Sequence, residues 1–127
     1  MYTERDIKKL FSQHGEIEME LGILKAMYHN CEAPIPPEVQ ERLNQLERKL
    51  MTIDSMFLAL STNEKFVIQL HVVEQLDWPQ VLNEFLNRWG KNSEKTIRSL
   101  QICQTKALKK LTKQLNKSKI IPCIEVD

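Results

Sequence analysis

DWPQVLNEFLNRWGKNSEKTIRSLQICQTKALKKLTKQL, residues 77–115, holds two helical patterns of different character on either side of a glycine. Asp77 can accept hydrogen bonds from first-turn amides, Gln80 can complete a capping box, and Pro79 suits the donor-free first turn. A helix is therefore predicted from Asp77 to Trp89, with Trp78, Leu82, Phe85, Leu86 and Trp89 as its buried stripe. Gly90 supplies the positive φ that ends a helix, Lys91 and Asn92 make the turn, and Ser93 caps the next helix. In that second helix Ile97, Leu100, Cys103, Ala107, Leu108, Leu111 and Leu115 fall on one stripe, about a turn apart. The opposite face carries Lys95, Arg98, Ile102, Lys106, Lys109 and Lys113.

Helix, short glycine turn and helix is the signal of a helix-turn-helix, whose second helix reads the major groove while the first crosses the backbone. Charge agrees locally although the whole chain conceals it. The net charge is +1, yet residues 88–119 hold ten lysines and arginines against Glu94 alone, an excess of nine that leaves the remainder at −8. Such segregation places an electrostatic footprint at one end of the chain. A lysine-rich helix is ordinarily solvated surface; the turn and the tryptophan-bearing first helix favour double-stranded DNA as its partner. The expected DNA-binding residues are Lys91, Ser93, Lys95, Thr96, Arg98, Ser99, Gln101, Ile102, Lys106, Lys109 and Lys113. Lysines would hold phosphates, Arg98 and Gln101 would discriminate bases, and Ile102 would meet a thymine methyl group.

A resemblance rests on three stretches: Glu64-Lys65-Phe66-Val67-Ile68-Gln69-Leu70-His71, then Leu76-Asp77-Trp78, then Ala107-Leu108-Lys109-Lys110-Leu111. Together they resemble the promoter-binding region four of bacterial sigma factors, where an E-R-x-V-I-x-L helix precedes the helix-turn-helix and the reading helix ends in A-L-x-K-L. The pattern is closer to sigma-like regulators of phages and prophages, the ArpU and RinA families. These place a tryptophan at the start of the first helix and open the second with S-x-x-T-hydrophobic-x, which Ser93, Thr96, Ile97 and Arg98 fit. The resemblance spans roughly Leu60 to Leu115 and implies a late-gene activator. It departs in two places. With Ser93 as cap the reading helix is about three residues longer than in sigma factors, and Phe85-Leu86 stands where a small Ile-Ala pair is usual.

The N-terminal half has two heptad runs, Ile7, Leu10, His14, Ile17, Leu21, Leu24 and Tyr28, then Val39, Leu43, Leu46, Leu50, Ile53, Phe57 and Leu60. The proline-rich stretch Cys31-Glu-Ala-Pro-Ile-Pro-Pro37 between them reverses direction, with Pro37 suited to a first helical turn. An antiparallel hairpin follows. The hairpin must dock either on the C-terminal domain, completing a single domain, or on a second copy of itself; in the second case Ile7, Leu10, Ile17, Leu21, Leu24, Leu43, Leu46, Leu50 and Ile53 are its expected oligomerisation residues. Gly15 and Gly22 weaken the first helix, and Gly22 leaves room beside the seam for another helix.

The chain has 127 residues, 42% of them hydrophobic, and three glycines, which bounds it to one or two small cores and an all-α fold. The expected organisation is a hairpin over 1–59, a sigma region-four-like helix-turn-helix domain over 60–117 and a tail over 118–127. No apolar run reaches membrane-spanning length and no signal peptide opens the chain, so a cytoplasmic protein is expected. Cys31, Cys103 and Cys123 are widely spaced and form no C-x-x-C pair, and Cys103 reads as a core residue. His14, His29 and His71 lack metal-ligand spacing, and Glu16, Glu18 and Glu20 alternate around their helix, so they cannot converge. No metal, cofactor, catalytic centre or small-molecule substrate is expected. The reading is a DNA-binding transcription regulator whose hairpin recruits a second subunit or RNA polymerase. Two alternatives remain open: a small terminase-like DNA-packaging protein, and a sigma-like module that binds polymerase without DNA.

Overall fold

A computed structural model describes residues 2–29, 33–91 and 94–118. Cys31, Asn92, Ser93, Cys123 and the expected tail beyond Ser118 lie outside them. The described chain is all-α, with no strand among the described residues: α1 (Glu4–Ser12), α2 (His14–Tyr28), α3 (Pro37–Leu58), α4 (Thr62–Val67) running into a π-helical turn (Ile68–Val73), α5 (Trp78–Trp89) and α6 (Ile97–Ser118). No described helix is long and apolar enough to cross a membrane.

The single helix expected across the first heptad run is divided at Gln13. Just before the break, the Ser12 hydroxyl donates to the Lys9 carbonyl at 2.7 Å. Gly15 follows within a turn, and a serine and glycine so placed weaken the helical ladder. The division sends the two halves to different partners. α2 pairs antiparallel with α3, its residues 14, 20 and 25 facing Asp54, Arg42 and Glu47 through His14–Asp54, Glu20–Arg42 and Lys25–Glu47 contacts. Pairs of this kind contribute at most about 1 kcal/mol each; the apolar seam, not these contacts, sets the register. α1 instead packs on α6 and the π-helical turn.

This docking turns the first heptad run into core. Ile7, Leu10, Ile17, Leu21, Leu43, Leu46 and Ile53 are buried within one chain, and Leu24 and Leu50 pack half-buried against them. Of the two expected arrangements, docking on the C-terminal domain is the one observed: these residues form an intrachain seam and not an oligomerisation seam, because α1 and the C-terminal helices cover what a bare hairpin would leave open. The same cluster continues across residues 59–60 into Ile68, Val72, Ala107, Leu108 and Leu111. Gly22 is exposed, and a Cβ there would meet nothing within 4 Å, so no described helix uses the room beside it.

A second, smaller cluster joins Val67, Val81, Phe85 and Leu100. Val81, fully buried, replaces Trp89 on the expected α5 stripe; Trp89 is 37% exposed, its ring 4.4 Å from Phe85 and 4.7 Å from Phe66. Two long-range ties lock the clusters to α6. Tyr2 donates its backbone amide to Asn116 Oδ1 at 2.8 Å and accepts from Asn116 Nδ2 at 2.9 Å, which pins the start of α1 to the far end of α6. Glu64 on α4 accepts from Lys110 Nζ at 2.8 Å. Burial raises the Glu64 carboxyl pKa, but the hydrogen bonds from Lys110 and Ser61 outweigh it and hold the group below its ordinary value.

His71, in the π-helical turn, stacks on Trp78 at 3.8 Å and donates from Nδ1 to the Leu76 carbonyl at 3.0 Å. Burial, helped by the charge of Lys8, lowers its pKa against that hydrogen bond. Both groups therefore bind protons less readily folded than unfolded, and both favour the fold more as pH rises. Stability should be full above the ordinary histidine value of 6.5 and fall below it, then fall again below the ordinary carboxyl value of 4.5. Urea melts against pH check this: His71→Gln should remove the first decline and keep the second.

Gln104 is buried, and its Oε1 has no hydrogen-bond partner among the described residues. An unsatisfied buried acceptor costs about 1–3 kcal/mol. Gln104→Leu, close in volume, should raise the unfolding free energy by about 1 kcal/mol in the same melts.

Candidate nucleic-acid interface

α5 begins as its sequence requires. Asp77 accepts from the Gln80 amide at 2.9 Å while Gln80 Oε1 accepts from the Asp77 amide at 3.1 Å, completing the capping box. It ends at Gly90, whose φ of 92° only glycine adopts without strain.

The start of α6 differs from the expectation. Thr96, not Ser93, is the cap: Thr96 Oγ1 accepts from the Ser99 amide at 3.2 Å, and Ser99 Oγ accepts from the Thr96 amide at 2.9 Å. Both residues carry a side-chain oxygen at the right spacing, so the local signal is degenerate, and Ile97 is the first residue with helical geometry. The connection between the helices therefore runs over residues 90–96, with Glu94 in the left-handed region at φ 56°.

This shift reassigns several expected site residues. Lys91 and Lys95 lie on the connection, exposed, and Lys95 is no longer a helical residue. Arg98 moves into the first turn of α6. Ser99 is half-buried, and its hydroxyl donates back to the Thr96 carbonyl at 2.8 Å, so that donor is occupied by the cap. Ser93 lies outside the described residues.

The rest of the expected face is brought together by α6 itself. Arg98, Gln101, Ile102, Lys106, Lys109 and Lys113 are exposed, with Ile102 at 45%, while Leu100, Ala107, Leu108 and Leu111 are buried on the other side. Among the described residues, Lys95, Arg98, Lys106, Lys109 and Lys113 have no ion-pair partner; Lys110 spends its charge on Glu64. The positive potential of this face is thus left uncompensated. Cys103 sits at its edge, half-buried, with burial and the Glu64 carboxylate raising its thiol pKa, which keeps it protonated and unreactive.

An open groove of about 580 Å³ runs between the start of α4 and the start of α6, with Ser61 and Asn63 on one wall and Lys95, Ile102 and Lys106 on the other. Asn63 is exposed there. Sequence reasoning missed Ser61 and Asn63. The Ser61–Glu64 capping box marks the start of α4 in the sequence, but tertiary contacts, among them Glu64–Lys110 and Val67 with Leu100, bring that start to α6.

Comparison with protein-family models, with curated proteins and with solved structures found no match to this chain.

The two turn residues carry testable costs. Thr96→Ala should destabilise the chain by about 1 kcal/mol through loss of the cap. Gly90→Val should cost more, about 1–3 kcal/mol, by forcing a β-branched residue into a glycine-only conformation. Thermal melts of both variants read the difference.

Proposed function

We propose that this chain is a sequence-specific DNA-binding transcription regulator, with residues 60–117 forming a sigma region-four-like helix-turn-helix. The observation that carries the reading is the uncompensated outward face of α6, where Lys106, Lys109 and Lys113 line up behind an arginine in the first turn. In such a motif the first-turn side chains of the second helix meet base edges. Arg98 then takes a guanine through two hydrogen bonds, Gln101 an adenine, and exposed Ile102 a thymine methyl group. Lys91, Lys95, Lys106, Lys109 and Lys113 hold phosphates, and the Thr96 hydroxyl keeps its proton free to donate to one.

The position of the cap supports the likeness to sigma factors. With Thr96 in place of Ser93, the three extra residues leave the reading helix and enter the connection, and the distance from cap to Ala107-Leu108-Lys109-Lys110-Leu111 becomes the sigma one. By the resemblance to the ArpU and RinA families, the regulator activates late genes of a phage or prophage and meets RNA polymerase at the promoter.

Fluorescence anisotropy with duplex DNA at several salt concentrations tests the proposal. Each of Lys106→Ala, Lys109→Ala and Lys113→Ala should flatten the slope of log K against log salt by roughly one unit. Arg98→Ala should weaken a selected site by about 1–3 kcal/mol and leave random DNA nearly unchanged. No binding of any duplex at low salt would overturn the reading in favour of a polymerase-binding module. Ring-sized assemblies in light scattering would favour DNA packaging.

A further inference from the structure

A second basic surface lies outside α6. Arg5, Lys8 and Lys9 sit at helical spacing on the exposed face of α1 and line one wall of an open groove of about 530 Å³. The opposite wall is His71 of the π-helical turn and the connection that leads to the α5 cap, Gln75, Leu76 and Asp77. None of the three cations has an ion-pair partner among the described residues, although acids lie close in sequence. Asp6 is held by the Thr3 amide and Asp77 by the Gln80 amide, so both carboxylates are engaged in caps. Lys8 lies near enough to His71 to oppose its protonation, a sign that the groove is electropositive.

We infer that the groove between α1 and the start of α5 is a second phosphate-binding surface, which holds the DNA strand beyond the site read by α6. The inference rests on the DNA-binding reading and extends it. α5, twelve residues long, spans about 18 Å at 1.5 Å per residue. The first helix of such a motif crosses the backbone, and since the end of α5 leads into α6, its other end lies toward the flanking sugar-phosphate strand. That other end is where Arg5, Lys8 and Lys9 converge. A polyanion with regularly spaced phosphates complements three cations on one helix face, and the polar Ser12 and Gln75 flank the path without opposing charge.

The test uses the full chain and a long mixed-sequence duplex, with the salt dependence of binding read for Arg5→Ala/Lys8→Ala/Lys9→Ala and for Lys106→Ala/Lys109→Ala/Lys113→Ala. The α1 variant should flatten the slope of log K against log salt by roughly two to three units. The single variant Lys9→Ala should flatten it by roughly one, which keeps the comparison if the triple variant folds poorly. A slope unchanged from the parent in both α1 variants, with the α6 variant flattened, overturns the second surface and leaves the function intact. Duplex binding absent from the parent itself removes both.

Discussion

α6 is a shared wall between two apolar clusters, and the rest of the molecule is arranged around that sharing. Leu100 and Cys103 face the smaller cluster with Val67, Val81 and Phe85, while Ala107, Leu108, Leu111 and Leu115 face the larger one with α1, α3 and the π-helical turn. Each buried leucine contributes about 1.5–3 kcal/mol, so the helix cannot rotate about its axis without exposing side chains to both sides at once. Its basic face is therefore held outward by apolar packing, to which the Tyr2–Asn116 and Glu64–Lys110 hydrogen bonds add. A surface built this way is stiff, which suits the proposed role, one that depends on where a few side chains point.

The N-terminal helix completes that wall. α1 lies across the end of α6, clasped by the reciprocal Tyr2–Asn116 hydrogen bonds, and its Ile7, Leu10 and Phe11 are fully buried. The break at Gln13 is what permits this, since a continuous helix could not serve both α6 and the α3 seam. Glutamates and aspartates collect on the hairpin and lysines on α6, so the charge asymmetry of the sequence becomes a spatial one. An acidic hairpin repels a phosphate backbone, and the proposed DNA surface is confined to the basic side.

Helical class, the start of α5 at Asp77, its end at Gly90 and the two faces of α6 are all legible in the sequence. Each rests on interactions between residues at most four apart, where capping oxygens, a glycine φ and the helical period act alone. The start of α6 is local too, yet Ser93 and Thr96 offer the same signal a turn apart, and the sequence does not say that Thr96 takes the cap with Ser99. The docking of α1, the second wall of the groove at Asn63 and the intrachain fate of Ile7 and Leu10 depend on partners more than forty residues away. Heptad spacing states that a stripe will be buried but not by what, because any apolar surface satisfies it equally; only the tertiary structure chose α6.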